Sequence, residues 1–99
     1  MVYLFLKMWY PSHKAEEVSA LGDKVMKENP PNPEVSELVV FAGNTSKEGY
    51  NSIAISKIKE GKMPQAMERA YKIVQNYAGI EGYEYSVEIW LDVLELPQD

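Results

Sequence analysis

The fold is decided by a nine-residue run at the start of the chain, Val2-Tyr3-Leu4-Phe5-Leu6-Lys7-Met8-Trp9-Tyr10, which Pro11 ends. Its β-branched and aromatic residues predict a strand. Because side chains alternate along a strand, one face carries Val2, Leu4, Leu6 and Met8, and the other carries Tyr3, Phe5, Lys7 and Trp9. Both faces are largely apolar, so we expect a central strand that is covered on both sides.

Two amphipathic helices are predicted from apolar residues at spacings of three and four. The first follows Ser12, has Val18, Leu21 and Val25 on its apolar side, and ends at the proline-rich segment 29–33. The second starts at Pro64 and ends near Gly79.

Three further strands are predicted at about residues 36–42, 50–58 and 82–96, with a polar loop at 43–49. The element order is β-α-β twice, in half-repeats of about 2–43 and 50–96. This order predicts an α+β fold in a single domain over residues 1–99, a ferredoxin-like βαββαβ sandwich. It has a four-stranded antiparallel sheet in the order 4-1-3-2 and two helices on one face.

Composition excludes several functional classes. Ten Lys and Arg against fifteen Asp and Glu give a net charge of -5, which repels phosphate backbones and anionic membranes, so we expect no nucleic-acid or membrane partner. The absence of cysteine excludes disulfides, thiolate zinc sites, iron–sulfur clusters and a cysteine nucleophile. With a single histidine, we expect no metal site and no bound cofactor.

A cytoplasmic location is expected. The apolar start of the chain lacks the basic region and small-residue cleavage site of a secretory signal. No stretch approaches the roughly 20 apolar residues that a membrane span needs.

The sheet face without helices is predicted to be rich in aromatic residues. Ile53, Ile55 and the Tyr83–Val93 alternation are assigned to the helix side. The residues assigned to the opposite face are Tyr3, Phe5, Trp9, Tyr50, Trp90 and Leu94, with either Val39/Phe41 or Leu38/Val40 from the second strand. Aromatic side chains bury roughly 150–250 Å² each, and soluble monomers rarely expose patches above about 300–600 Å². We therefore expect a homodimer in which two such faces pack together.

Polar residues are interspersed among these rings, and they favour a cavity between the two sheets over a dry interface. They are Lys7, Ser52, Ser56, Glu84, Ser86 and Glu88. The predicted ligand-binding residues are Tyr3, Phe5, Trp9, Tyr50, Ser52, Ser56, Glu88 and Trp90.

Two residues are candidates for catalysis. His13 lies at a predicted helix start, where the helix dipole favours a neutral imidazole, but a solvated first-turn residue is the preferred interpretation. Glu88 is either a carboxylate with a shifted pKa or, as the preferred interpretation, the partner of Lys7 in a buried ion pair that stabilises the dimer. Glu84 is about 13 Å from Glu88 along the strand, too far for a coupled pair.

The element order and the mixed aromatic and polar face resemble the dimeric α+β barrel superfamily over nearly the whole chain, Val2 to Leu96. This group includes antibiotic-biosynthesis-type and haem-degrading monooxygenases and muconolactone isomerase-like enzymes. The ligand-sensing βαββαβ domains of microbial regulators look similar. The resemblance implies a homodimer with a cavity between its sheets. It also implies that Trp9 and Trp90 shape this cavity and that His13 is the only candidate haem ligand.

Three functions from different classes remain open at this stage. The first is a cytoplasmic homodimer that binds a small organic ligand between its sheets. The second is a cofactor-independent or haem-dependent monooxygenase or isomerase, and the third is a structural dimerisation module. The residues assemble no catalytic constellation, so binding is preferred and enzyme status stays undecided.

Overall fold

The computed structural model describes residues 1–95. Its strands are β1 (Val2–Tyr10), β2 (Ser36–Ser46), β3 (Gly49–Ile58) and β4 (Glu84–Leu91), and its helices are α1 (Ala15–Glu28) and α2 (Met63–Gln75). Short 3-10 turns at Ser12–Lys14 and Val93–Glu95 precede α1 and follow β4. The predicted α+β class, with one four-stranded antiparallel sheet and two helices, is confirmed.

The strands are arranged β2-β3-β1-β4 across the sheet, which is 4-1-3-2 when counted from the β4 edge, and all neighbours are antiparallel. This arrangement is compatible with a ferredoxin-like sandwich. The central position of β1 follows from its sequence, because a strand that is apolar on both faces is stable only where both are at least partly covered.

Both helices pack on the side of the sheet to which Leu4 and Leu6 point. Val25 of α1 and Val74 of α2 are the most deeply buried side chains, and they lie in one cluster with these leucines and Ile58. In α2 the buried residues Ala66, Ala70, Ile73 and Val74 recur at spacings of three and four, which gives this helix one apolar side.

A hydrogen bond links the two helices at the C-terminal end of α1. The Arg69 guanidinium of α2 donates a hydrogen bond of 2.8 Å to the main-chain oxygen of Asn29, the residue after α1. The prolines that follow Asn29 prevent α1 from continuing. Pro64 lies in the first turn of α2, where its missing N–H has no helical partner to lose.

The prediction of a loop at residues 43–49 is wrong except at the two turn residues. Strand β2 continues through Ser46, which pairs with Gly49, so only Lys47 and Glu48 form the turn to β3. The Ser46 hydroxyl accepts from the Glu48 N–H at 3.2 Å and donates to the Glu48 carboxylate at 3.0 Å, which stabilises this tight turn. Cross-strand pairing thus overrides the weak strand preference of these polar residues.

The fourth strand is shorter than predicted. It ends at Leu91, and Leu94 lies in the 3-10 turn beyond it, 90% exposed, rather than on the sheet face. Leu96, the predicted end of this strand and of the second half-repeat, lies outside the described residues.

The helices leave the edges of the sheet uncovered. On the helix side of β4, Tyr85 and Leu91 are exposed, and on the same side of β2, Leu38 and Phe41 are exposed. The two helices therefore cover the central strands β1 and β3. Apolar side chains of the two edge strands, β2 and β4, stay exposed.

Candidate functional site

The sheet face opposite the helices is called the open face here, and strand register decides which residues belong to it. Directly paired residues on antiparallel strands share a face. The odd-numbered residues of β1 lie opposite the core leucines, so they and their partners form this face. It consists of Tyr3, Phe5, Lys7, Trp9, Asn51, Ile53, Ile55, Lys57, Glu84, Ser86, Glu88, Trp90, Glu37, Val40, Ala42 and Asn44.

The prediction is correct for β1, correct for β4 except at Leu94, which lies beyond the strand, and wrong for β3. Tyr3, Phe5, Trp9, Glu88 and Trp90 lie on the open face as expected. In contrast, Tyr50, Ser52 and Ser56 pair with Tyr10, Met8 and Leu4, which places them on the helix side.

Ile53 and Ile55, which were expected beneath the helices, lie on the open face instead. The small side chain of Ala54 packs against the core on the helix side. Close packing of the helices on the central strands leaves little volume there, so small residues fit where aliphatic ones were predicted.

The face assignment of β2, which the sequence left open, is settled by a β-bulge. The pairing shifts between Leu38 and Val40, leaving Val39 as the extra residue. Leu38 and Phe41 therefore both lie on the helix side, and Val40 lies on the open face. Neither strict alternation is followed, because a bulge puts two residues of one strand against one of its partner.

The centre of the open face holds a cluster of aromatic and charged groups, which we call the Glu88 cluster: Phe5, Lys7, Ser86, Glu88 and Trp90. The period of two along β4 aligns its three members from that strand on one face, and the β1 register places Phe5 and Lys7 beside them. The Phe5 and Trp90 rings are stacked with centroids 5.2 Å apart. The Lys7 ammonium lies 6.0 Å from the Trp90 ring centroid, at the limit of a cation–π contact.

Three donors converge on the Glu88 carboxylate. The Ser86 hydroxyl and the Trp90 indole N–H each donate at 2.8 Å, and the Lys7 ammonium lies at 3.3 Å. The hydrogen bonds from Ser86 and Trp90, with the charge of Lys7, lower the pKa of Glu88 below its usual range. The carboxylate is therefore a fixed anion at neutral pH, which suits a positioning role better than general acid–base chemistry.

The predicted ion pair between Lys7 and Glu88 is thus present, but it is not buried within one chain. Both side chains keep about a third of their surface exposed, 31% and 30%. An isolated pair of this exposure contributes little to stability.

His13 is not brought to this cluster. It lies exposed in the 3-10 turn that follows β1. Glu88 pairs with Phe5, and the strand between Phe5 and Tyr10 adds about 16 Å. The two catalytic candidates therefore do not form an acid–base pair.

Trp9 and Tyr50 share a pocket at the end of the sheet. Its volume is about 540 Å³, and Tyr10, Glu48 and Glu84 also line it. Trp9 thus lies at the margin of the open face, away from the Glu88 cluster. A larger pocket of about 750 Å³ lies beyond the other end of the strands, beside Val2, Lys57 and Met63, and contains none of the predicted site residues.

A row of tyrosines on the helix side was missed by the sequence reasoning. Tyr10 is stacked with Tyr50 at 5.5 Å and with Tyr83 at 6.4 Å, and Tyr83 is stacked with Tyr77 at 4.9 Å. Burial raises the pKa of Tyr77 and of Tyr83. The sequence held no signal for this row, because only the β1–β3 register pairs Tyr50 with Tyr10 and so places it on the helix side.

Two findings bear on ligands and membranes. Among residues 1–95, no three His, Asp or Glu side chains are close enough together to hold a metal ion. Neither of the helices in this range has the length and apolar character to cross a bilayer.

No family model matches the chain, and no curated protein matches its sequence. A solved structure described as "De novo designed protein Foldit4" is similar, with a TM-score of 0.58 and 10% identity. The likeness covers 92% of this chain and 97% of the designed one. At this identity it shows the fold alone.

Proposed function

We propose that two copies of this chain pack through their open faces and bind a small organic ligand between the two sheets. The observation that carries this proposal is the Glu88 cluster, where stacked rings and a hydrogen-bonded ion pair lie together on a surface that neither α1 nor α2 covers. In a single chain, Trp90 is half exposed and Trp9 is 39% exposed. Large aromatic side chains that are this exposed favour packing against a second protein chain.

The aliphatic residues of the open face extend this surface beyond the rings. Ile55 lies next to Phe5 across the β1–β3 pair, and Val40 follows on β2. Burial of apolar surface contributes about 25 cal/mol per Å². A two-fold axis through the face would bring each such row against its copy, the self-complementary geometry of most homodimers.

Polar groups within this surface support a ligand cavity. Lys7 and Glu88 are paired with each other, and Glu88 also accepts from Ser86. These groups are already satisfied within the chain, so they can line a cavity without the cost of unpaired buried charge. The proposed lining is Tyr3, Phe5, Glu88 and Trp90 at the centre, with Trp9 at the margin. We place this homodimer in the cytoplasm, where a chain without cysteine needs no oxidising environment.

The dimer is tested by sedimentation equilibrium at micromolar concentration. We expect a mass of twice the 11.3 kDa chain or a larger even multiple. Trp90→Ala should weaken the association about 30-fold, since a buried Trp at an interface contributes about 2 kcal/mol or more. The matched control is Tyr85→Ala, an exposed ring on the same strand but on the helix side, which should change it less than threefold.

Ligand binding is tested with 1-anilinonaphthalene-8-sulfonate as the probe, an aromatic molecule whose fluorescence rises in apolar pockets. The wild-type chain and Tyr85→Ala should bind it saturably, and Trp90→Ala should not. A dimer that fails to bind the probe would leave only the dimerisation module. A wild-type chain that sediments at 11.3 kDa would contradict the dimer itself.

A further inference from the structure

The outer edge of β2 is a second surface that needs a partner. Strand β2 is at the end of the sheet, beside β3 only, so its outward N–H and C=O groups have no strand to pair with among residues 1–95. A row of such groups is a template for another extended strand. Since β2 runs over eleven residues, this edge is long.

The side chains along this edge are apolar and exposed. Leu38 is 57% exposed, Val39 40%, Val40 42% and Phe41 69%. Natural edge strands usually carry lysine, proline or inward-pointing charges that block pairing. The stretch from Leu38 to Ser46 contains none of these residue types. Its apolar residues 38–42 have strong strand propensity, and the whole stretch carries no charge, which are features of a segment that pairs with its own kind.

One protective feature is present, the bulge at Val39, but it is confined to one end of the strand. From Val40 to Ser46 every residue pairs with β3 in unbroken register. Seven residues of regular edge are enough for an ordinary strand pairing, since strands of five or six residues are typical.

The charges at the two ends of β2 disfavour one direction of self-pairing. Glu34 and Glu37 lie at the N-terminal end, and Lys47 and Glu48 lie at the C-terminal end. In a parallel in-register pairing each glutamate would face its own copy, which is unfavourable. In an antiparallel two-fold pairing centred from Val39 to Ala42, Lys47 faces residues 31–37 of the other copy and Glu48 faces residues 30–36. Glu48 then lies directly opposite a glutamate only when the axis is at Phe41, so the antiparallel direction avoids most of the like-charge contacts.

The same two-fold pairing also matches the side chains. Because of the bulge, Leu38 and Phe41 both lie on the helix side, where α1 and α2 leave them exposed. An antiparallel copy would continue this row with its own Phe41 and Leu38, so that each apolar pair covers the other.

We propose that the β2 edge is a self-association surface, in which β2 of one chain pairs antiparallel with β2 of a second copy to form a continuous eight-stranded sheet. The proposal is independent of the open-face dimer, because it uses a different surface of the chain. The two contacts together close into an assembly of four chains when their two-fold axes are perpendicular and intersect.

The pairing is tested by cysteine cross-linking, for which the chain is well suited because it contains no cysteine of its own. Single variants place a thiol at each of five positions: Leu38→Cys, Val39→Cys, Val40→Cys, Phe41→Cys and Ala42→Cys. In a two-fold antiparallel pairing, the separation of equivalent residues grows by about 6.6 Å for each step from the axis. A disulfide needs Cα atoms within about 7 Å.

The rate of disulfide formation should therefore peak sharply along the five positions. One or two adjacent positions should form covalent dimers at least about tenfold faster than the other positions and than Leu94→Cys, a control that is 90% exposed and outside β2. Equal cross-linking at all five positions would indicate parallel stacking and overturn the proposal. Rates no higher than that of Leu94→Cys would overturn it as well.

A non-covalent readout separates this surface from the open face. Phe41→Lys puts a charge on the edge and should halve the sedimenting mass of the wild-type assembly, while Trp90→Ala should act on the other contact. If Trp90→Ala lowers the mass and Phe41→Lys leaves it unchanged, the edge pairing is wrong and the open-face dimer stands. If Phe41→Lys lowers the mass and Trp90→Ala leaves it unchanged, the open-face dimer is wrong and the edge pairing stands.

Discussion

At the scale of single residues, Glu88 shows how local sequence and strand pairing combine. The positions of Ser86, Glu88 and Trp90 on one strand face follow from alternation, and the first and third donate to the second. Lys7 comes from another strand, and only the β1–β4 register brings it within 3.3 Å. The sequence predicted this pair as one of two possibilities, because residue spacing alone does not fix a cross-strand contact.

Glu88→Gln should change the pH dependence of stability. The pKa of Glu88 is lowered from 4.5 in the folded chain by Ser86, Trp90 and Lys7, so ionised Glu88 stabilises the fold above the unfolded pKa. This contribution is lost as the pH falls through the lower folded pKa. The difference in unfolding free energy between the wild type and Glu88→Gln should therefore be largest near pH 7 and shrink below pH 4.5.

Urea unfolding at pH 7 and at pH 3 measures this difference. Glu84→Gln, which changes a carboxylate on the same face of the same strand, is the control. A wild-type advantage over Glu88→Gln that is equal at both pH values would show that the carboxylate charge is not involved.

At the scale of elements, the β2–β3 hairpin was predicted only in outline. Its two strands were recognised, but Gly43-Asn44-Thr45-Ser46 looked like a loop because these residue types favour turns. In the structure they form a regular part of β2, paired with residues 49–52. The true turn is tight, and Gly49 follows it at a φ of 132°, a conformation that side chains rarely adopt.

Gly49→Ala should destabilise the chain strongly. A Cβ atom at this position would lie 2.4 Å from the main-chain oxygen of Tyr10, so either β1 or the hairpin must move. We expect a loss of more than about 3 kcal/mol in unfolding free energy, from the backbone conformation and the clash together. Thermal or urea unfolding followed by circular dichroism measures it.

Gly61→Ala measures the cost of a positive φ without a steric clash. Gly61 also has a positive φ, 76°, but a methyl group added there would meet no atom of the surrounding structure within 4 Å. This variant should lose only about 1 kcal/mol, the cost of the left-handed conformation alone. Equal losses for the two variants would show that contact with Tyr10 does not matter.

At the scale of the whole molecule, the two helices are too few to cover the sheet. The core forms over β1 and β3, and exposed apolar side chains remain on the open face and along β2. For a chain of 99 residues the buried fraction of the surface is modest, so further burial through association raises stability.

Stability should consequently depend on protein concentration. The wild-type Tm should rise between about 1 and 100 μM, because mass action favours an associated folded state over unfolded single chains. Differential scanning fluorimetry or calorimetry at several concentrations measures this. A combined Trp90→Ala and Phe41→Lys variant should show a Tm that does not change with concentration. A constant wild-type Tm would contradict both association surfaces.

The sequence by itself determined the order of the elements, the central position of β1 and the faces of β1 and β4. Hydrophobic periodicity is a local property of the sequence, so it can be recognised without knowing which strand is the partner. Tertiary structure decided the face of β3, the bulge in β2, the end of β4 and the convergence of Lys7 on Glu88. Each of these depends on register, and a shift by one residue moves every side chain to the other face at no change in composition.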